Sequence, residues 1–211
     1  GNKPVITANG QNHTFDAVLY ATGRKPNTAN IGLEHTDIAT NERGAIVVND
    51  TCESSVPGVY AVGDVNGGPQ FTYISLDDFR IVFGTLTGNS QYTLKDRKNI
   101  PYTTFLTPPL SRVGLTEEDA INQGYTVKTK EMLVATMPRA HVNDYLKGAF
   151  KIVVDADNDL ILGATLYSQG AEELINLIKM AMDNNIPYTY FKNQIFTHPT
   201  MAENLNDLCN F

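Results

Sequence analysis

Runs of apolar residues in the first part of the chain are short and unbroken. Residues 17–20 and 59–62 are such runs, and each is soon followed by a glycine, Gly23 or Gly63. Runs of this kind predict strands buried on both faces, as in a parallel sheet. A hairpin is predicted at residues 3–15, where Asn9-Gly10 is a strong two-residue turn signal. Residues 73–86 have helical spacing, and the apolar face would carry Ile74, Phe79, Val82, Phe83 and Leu86.

The pattern changes after residue 100, where strands are followed by helices and one strand, at residues 125–135, alternates between apolar and polar positions. Strands are predicted at residues 103–106, 125–135, 149–155 and 160–167. A capping box at Thr116 opens a helix that Gly124 stops, and residues 171–184 form an amphipathic helix. The apolar positions of that helix are Leu174, Ile175, Leu177, Ile178, Ala181 and Met182. The fold class is therefore α/β elements followed by an α+β domain with an antiparallel sheet and flanking helices.

Composition narrows the classes of function. Of 211 residues, 42% are hydrophobic and 18% charged, as in an ordinary globular protein. The net charge of −7, without a Lys/Arg cluster, argues against nucleic acid or an anionic membrane as a partner. No apolar run is long enough to span a bilayer, so a cytoplasmic protein is expected. Cys52, expected in an exposed loop, and Cys209, expected as a packed or surface thiol, are too few for a zinc site, and no metal is expected.

The last stretch of the chain carries the strongest candidate chemistry. Pro199 disfavours a helical conformation at His198, and Thr200 and Glu203 form the T-x-x-E signature of a capping box. The glutamate would then lie one turn into a helix and fold back toward the imidazole. A neighbouring carboxylate fixes the tautomer of a histidine and prepares it to act as a general base. The alternative is that Thr200 and Glu203 only cap a helix and His198 is incidental.

Two further positions in the first part point to a nucleotide-like ligand. Asp64 would project from the carboxyl end of the strand at 59–62, where it can accept hydrogen bonds from ribose or ribityl hydroxyls. The alternative is a turn aspartate bonded to its own backbone. The helix N-terminus near residues 70–72 would offer free N–H groups to an electron-rich ligand.

Three motifs in one order resemble a known family. Residues 21–27 (ATGRKPN), 59–64 (VYAVGD) and 198–203 (HPTMAE) are similar to the C-terminal half of the pyridine nucleotide-disulfide oxidoreductases, which include glutathione reductase, dihydrolipoamide dehydrogenase and mercuric reductase. Residues 71–78 and 203–208 resemble the mercuric-reductase-like branch and, within it, the reactive-chlorine-resistance, hypothiocyanous acid reductase group. The resemblance implies the end of an NAD(P)-binding domain at 1–27, part of an FAD-binding domain at 28–99 and a dimerisation domain at 100–211.

The resemblance also implies roles for matching residues. FAD and NAD(P)H would be the cofactors, and the residues near them would be Asp64, Gly63, Phe71, Thr72, Gly23 and Arg24. Of these, Asp64 would bind the ribityl chain, and the backbone at Phe71 and Thr72 would lie against the flavin pyrimidine edge. Gly23 and Arg24 would lie near the nicotinamide path or the seam between domains. His198 and Glu203 would be an acid–base pair that reaches across a homodimer to the redox disulfide of the other subunit. The substrate would be a small oxidised species: a disulfide, a metal ion or a reactive oxidant.

The sequence also departs from the family pattern. It has neither the Gly-x-Gly-x-x-Gly dinucleotide loops nor the Cys-x-x-x-x-Cys redox pair. We therefore expect a fragment of a protein about twice as long, inactive by itself. The alternatives are a stand-alone dimerisation or scaffold module, and a flavoenzyme of the NADH oxidase or ferredoxin reductase type. The His-Pro-Thr-x-x-Glu ending favours the disulfide reductases.

Overall fold

The computed structural model describes residues 3–211, and the chain divides into two compact units after Asp96. The first unit contains strands β1 (Val5–Ala8) and β2 (Gln11–Thr14) and helix α1 (Thr72–Thr87), with 3-10 turns at Leu33–His35, Gly63–Asn66 and Leu94–Asp96. β1 and β2 pair as the predicted antiparallel hairpin. Asn9 and Gly10 have φ angles of 51° and 75°, the left-handed pair that this tight turn requires.

The two buried strands predicted in the first unit do not form. Leu19 and Tyr20 are 90% and 84% exposed, and residues 17–20 have no regular structure. In residues 59–62 only Tyr60 makes a bridge, antiparallel to Glu53. A parallel strand needs neighbours for its N–H and C=O groups, and within residues 3–96 the strands are only β1 and β2, already paired with each other. The prediction of parallel strands here was wrong.

Helix α1 confirms the predicted position but not the predicted face. It buries Ile74, Asp78 and Ile81, whereas Phe79 and Phe83 are exposed. The reason is a polar anchor: Oδ2 of Asp78 accepts hydrogen bonds from the Gly63 N–H at 2.7 Å and from Asn66 Nδ2 at 2.9 Å. A buried carboxylate is costly unless it is hydrogen-bonded, so these bonds decide which face of α1 turns inward.

The second unit is built on a five-stranded antiparallel sheet. Its strands are β3 (Tyr102–Thr104), β4 (Leu110–Gly114), β5 (Val127–Leu133), β6 (Ala149–Asp155) and β7 (Ile161–Tyr167), in the spatial order β3-β4-β7-β6-β5. The predicted strands in this part are confirmed with shifted ends, and β5 is the half-buried edge strand that its alternation predicts. The antiparallel sheet with flanking helices confirms the α+β class.

The helices of the second unit are α2 (Glu117–Asn122), α3 (Pro138–Val142), α4 (Ala171–Asp183), α5 (Tyr188–Asn193) and α6 (Asn204–Leu208). The main core lies between the sheet and α4, α5 and α6, and its fully buried residues include Phe150, Ile152, Leu166, Ile175, Ile178, Leu205 and Leu208. Of the six apolar positions predicted for α4, five are buried and Leu177 is exposed. Each fully buried side chain of this size contributes roughly 1.5–3 kcal/mol.

A smaller cluster, made by Ala120, Val153 and Leu162, includes residues of α2 and the sheet. The capping box predicted for α2 is complete: Thr116 Oγ1 accepts from the Asp119 N–H at 3.0 Å, and Asp119 Oδ2 accepts from the Thr116 N–H at 3.2 Å. No helix within residues 3–211 combines the length and apolar character that crossing a bilayer requires.

Candidate active site

His198 and Glu203 face each other across the turn that leads into α6. Nδ1 of His198 lies 2.8 Å from Oε2 of Glu203. The histidine side chain is 71% exposed, whereas that of the glutamate is 16% exposed. The peptide bond between His198 and Pro199 is cis. The pair is therefore an accessible imidazole backed by a largely buried carboxylate.

Glu203 occupies a different position from the one that the capping signature predicts. Its N–H donates to Thr200 Oγ1 at 3.2 Å, which is one half of a capping box. Its carboxylate bonds to His198, and its Oε1 is buried without a hydrogen-bond partner within residues 3–211. The helix begins one residue later, at Asn204, so the expectation that Glu203 lies one turn inside a helix was wrong. The carboxylate is therefore bonded to the imidazole and does not cap the helix.

Helix α6 is held from several sides, although it has only five residues. Leu205 and Leu208 are buried in the main core. Lys130 on β5 donates from Nζ to the carbonyls of Asp207, at 2.7 Å, and Asn210, at 2.5 Å, near the C-terminal end of the helix. A cation at that end also interacts favourably with the helix dipole. Helix α6, which directly follows Glu203, is thus anchored in the core through Leu205 and Leu208, and this restrains the backbone of the glutamate.

The arrangement suits proton transfer. When the imidazole is neutral, a carboxylate at Nδ1 favours the tautomer with the proton on Nδ1, and Nε2 then carries the lone pair. The exposed ring can therefore take a proton at Nε2 or give one back. A second histidine–glutamate contact, between His35 Nε2 and Glu34 Oε1 at 3.7 Å, differs because both of its side chains are exposed. Burial of the carboxylate separates the candidate site from an ordinary surface pair.

In the first unit, Gly63 and Asp64 lie in the 3-10 turn that is anchored to Asp78. Gly63 has a φ angle of 73°, and an added Cβ would lie 2.6 Å from Oγ of Ser75 in α1. Only glycine allows this approach, which brings Asp64 beside the first turns of α1. Asp64 therefore lies in a turn and not at the end of a strand.

The remaining residues predicted to lie near a cofactor are also in the first unit. Nη1 of Arg24 lies 3.9 Å from Oδ2 of Asp64, and both side chains are exposed. Gly23, with a φ angle of 124°, precedes the arginine. Thr72 is the first residue of α1 and Phe71 its N-cap. N–H groups in the first turn of a helix lack intrahelical acceptors, so the start of this 16-residue helix presents hydrogen-bond donors.

Both cysteines are buried and neither is in a disulfide. Cys52 is fully buried, which corrects the expectation of an exposed loop. Burial also raises the pKa of the Cys209 thiol to about 12. Because the thiolate is the reactive form, Cys209 is not a nucleophile at neutral pH.

Sequence reasoning missed the residues that support these sites. Asp78 is a carboxylate on the buried face of α1, one turn after Ile74, and its spacing was the available signal. Lys130 faces the end of α6 from a strand far away in sequence, and nothing local indicates it. Asn204 is 2% exposed although it is polar, and it follows directly after Glu203.

Known proteins share this layout of fold and motif. A model of the pyridine nucleotide-disulphide oxidoreductase dimerisation domain matches residues 100–209, and a pyridine nucleotide-disulphide oxidoreductase model matches residues 1–78. The two matches define the class as oxidoreductases that carry a dimerisation domain. The chain belongs to the pyridine nucleotide-disulphide oxidoreductase family. The family expected from the three motifs is confirmed.

Individual relatives agree with the family. The chain is 49% identical over 193 residues to the probable pyridine nucleotide-disulfide oxidoreductase RclA of Escherichia coli, covering 92% of this chain and 44% of the relative. It is 35% identical to the mercuric reductase of Staphylococcus aureus, covering 95% of this chain and 37% of the relative. A solved structure, the HOCl-induced flavoprotein disulfide reductase RclA from Escherichia coli, superposes with a TM-score of 0.94 at 45% identity, covering 99% of this chain and 48% of that one. The chain thus spans less than half the length of these relatives.

Proposed function

We propose that this chain is the C-terminal part of an FAD-dependent NAD(P)H:disulfide oxidoreductase. In this role residues 100–211 supply a homodimer interface, and His198 with Glu203 supplies the acid–base pair for the redox-active thiols of the partner subunit. The substrate is a small oxidised species, namely a disulfide, a metal ion or a reactive oxidant. The relatives support the proposal, because they are disulfide oxidoreductases and a mercuric reductase of more than twice this length.

The observation that carries the proposal is the His198–Glu203 pair. The buried carboxylate holds Nδ1, which leaves Nε2 of an exposed imidazole available to an incoming group. Reduction of an oxidised substrate by a dithiol releases a thiolate or a comparable basic leaving group. An imidazolium at Nε2 donates a proton to that group, and the neutral ring accepts one when the dithiol is regenerated. Glu203 keeps the ring in one orientation through both steps.

The first unit fits the cofactors of this family, which uses FAD and NAD(P)H. The exposed carboxylate of Asp64 would bind ribityl hydroxyls, and Gly63 permits its approach to α1. The backbone at Phe71 and Thr72 would lie against the pyrimidine edge of the flavin, where the positive end of the helix dipole favours negative charge. Gly23 and Arg24 would border the nicotinamide. FAD supplies the redox centre between nicotinamide and disulfide when it is bound.

Dimerisation is consistent with the surface of the second unit. Several large apolar side chains in residues 97–211 are exposed, and they include Phe105, Leu133, Val142, Met180 and Ile195. Exposed apolar side chains mark a protein interface when they form one contiguous patch, so these residues are the ones to test at the proposed interface. The family model for this region is that of a dimerisation domain.

The test uses the full-length protein that contains this chain, and its bound FAD is first measured by absorbance. Stopped-flow absorbance follows two half-reactions: reduction of the flavin by NADPH or NADH, and its reoxidation by a small disulfide such as 5,5′-dithiobis(2-nitrobenzoate). His198→Ala should slow reoxidation by about 10²-fold or more, since general acid–base catalysis contributes roughly 10²–10⁴-fold. Flavin reduction should be unchanged, because no proton from His198 is needed in that step.

His35→Ala is the matched control, since it removes the exposed His35–Glu34 contact. It should leave both half-reactions unchanged. If His198→Ala also changes neither half-reaction, the acid–base role is wrong. A protein that binds no flavin and shows no redox activity would instead support the stand-alone dimerisation module.

A further inference from the structure

Asn204 is a buried polar residue that makes bonds within the active-site turn. It is the first residue of α6 and is 2% exposed. Its side-chain Nδ2 donates to the carbonyl of Thr200 at 3.2 Å and to the carbonyl of Met201 at 3.0 Å. Both protons of the amide are thus used inside the segment that joins His198 to Glu203.

These two carbonyls are the ones that an earlier helix would need. In a helix capped by Thr200, the Thr200 carbonyl accepts from the backbone N–H of residue 204 and the Met201 carbonyl from that of residue 205. The Asn204 side chain donates to both of these carbonyls. The N–H of Leu205 donates instead to Ala202, and that of Asn206 to Glu203, each at 3.0 Å. A side-chain amide can compete with helical backbone bonds in this way.

Another T-x-x-acid signature in the chain, at Thr116, shows the outcome without such an amide. At Thr116, the residue after the acid is Ala120, whose backbone N–H donates to the Thr116 carbonyl at 2.9 Å. That helix begins directly after Thr116, and Asp119 returns its carboxylate to the Thr116 N–H, which closes the box. At Thr200 the helix begins only at Asn204, and the Glu203 carboxylate bonds to His198 instead.

We infer that Asn204 is a positioning residue, whose side-chain amide keeps the Thr200–Glu203 signature from closing as a capping box and thereby holds the Glu203 carboxylate on His198. The inference deepens the proposed function and rests on it for its catalytic consequence. Its structural content stands without it: if the amide is removed, residues 201–203 can wind into α6. The carboxylate can then bond the Thr200 N–H, which leaves Nδ1 of the imidazole without its partner.

Asn204→Ala in the full-length holoprotein tests the inference, because it makes the Thr200 signature match that at Thr116. ¹⁵N-labelled histidine reports the tautomer of the neutral His198 ring, with its signal assigned by its loss in His198→Gln. The parent should hold the proton on Nδ1, whereas Asn204→Ala should shift the ring toward the tautomer with the proton on Nε2. Reoxidation of the flavin by the disulfide should slow about tenfold, less than the roughly 10²-fold loss expected when the imidazole is removed. Flavin reduction should not change.

Asn206→Ala is the matched control. Asn206 also lies on α6, and its amide donates to the carbonyls of Phe191, at 2.5 Å, and Gln194, at 3.0 Å, outside the turn. This variant should keep the parent tautomer and the parent reoxidation rate. Asn204→Leu, which keeps a branched side chain of similar size without a donor, should behave as Asn204→Ala does and guards against an effect of the lost volume.

The outcomes separate the two ideas. An unchanged tautomer in both Asn204 variants overturns the positioning role, even if His198→Ala slows reoxidation and so supports the acid–base role. A changed tautomer in the Asn204 variants, with no effect of His198→Ala on either half-reaction, supports the positioning role and overturns the catalytic one. An equal tautomer shift in Asn206→Ala would show that α6 as a whole, and not this amide, holds the pair.

Discussion

Large apolar side chains have different fates in the two units. Of the largest fully buried side chains in the described part of the chain, Ile81 alone belongs to the first unit, and the others lie in residues 97–211. Leu19, Tyr20, Phe79 and Phe83 of the first unit are exposed. The second unit buries the apolar side chains of its strands, because each antiparallel strand pairs with neighbours in the same unit. The runs expected as parallel strands depend on neighbours that residues 3–96 do not provide.

A hydrophobic pattern predicts burial reliably when the packing partners of the element lie nearby in the same unit. An antiparallel strand whose partner is close in sequence finds its hydrogen-bonding groups within the same unit. An amphipathic helix that packs on such a sheet likewise buries its apolar face there. A parallel strand needs partners from elsewhere, so its apolar run predicts burial only in a larger assembly. Three changes test whether the difference in burial between the two units is also a difference in stability.

The largest effect is expected from a matched pair of phenylalanines. Phe150→Ala removes a fully buried ring from the sheet and should cost about 3–5 kcal/mol, because it leaves a cavity in the core. Phe79→Ala removes an exposed ring of the first unit and should change the free energy of unfolding of this chain by less than about 0.5 kcal/mol. Urea unfolding followed by circular dichroism measures both. Equal losses would contradict the contrast between the units.

An intermediate effect is expected from the polar anchor of the first unit. Asp78→Ala leaves the Gly63 N–H without its acceptor, and an unsatisfied buried donor costs about 1–3 kcal/mol. Hydrogen exchange at the Gly63 amide should accelerate accordingly. Asp78→Asn keeps the shape and one acceptor oxygen, so its loss should be smaller. If neither variant changes exchange at Gly63, the first unit is held by apolar packing and not by this anchor.

The smallest effect is expected at the closed capping box of the second unit. Thr116→Ala should cost about 1 kcal/mol at neutral pH. Hydrogen bonds from the side chain and the backbone N–H of Thr116 lower the pKa of Asp119. A lowered folded-state pKa gives stability that is present above the unfolded value of about 3.9 and lost as pH falls through the folded value.

The difference between Thr116→Ala and the parent should therefore shrink when urea unfolding is repeated near pH 3. Thr51→Ala is a control, since Thr51 is a half-buried turn residue of the first unit whose side chain and N–H bond to Asn49. It should show no such pH dependence. A constant difference for Thr116→Ala across this pH range would mean that Asp119 takes no part in the cap.

The sequence predicted the second unit well because its signals are local. Alternation predicted β5, the turn at residues 156–159 predicted β6 and β7 as paired strands, helical spacing predicted α4, and the Thr116 box predicted the start of α2. Two identical-looking signatures show the limit. Thr116 with Asp119 and Thr200 with Glu203 satisfy the same pattern, yet only the first closes, because the residue that follows the acid brings a side-chain amide in one case and not in the other.

By itself, the sequence determined the family, the antiparallel α+β unit and the two residues of the candidate acid–base pair. Tertiary structure decided the rest, because it depends on groups that meet only after folding. Asp78 accepts a hydrogen bond from the Gly63 N–H and is therefore on the buried face of α1. Lys130, on the edge strand β5, donates to a carbonyl at the C-terminal end of α6. The carboxylate of Glu203 is hydrogen-bonded to the imidazole of His198 and not to a backbone N–H of the helix. In each case a buried or partly buried polar group is satisfied by a partner that comes close only in the folded chain. The order of residues along the sequence does not reveal that partner.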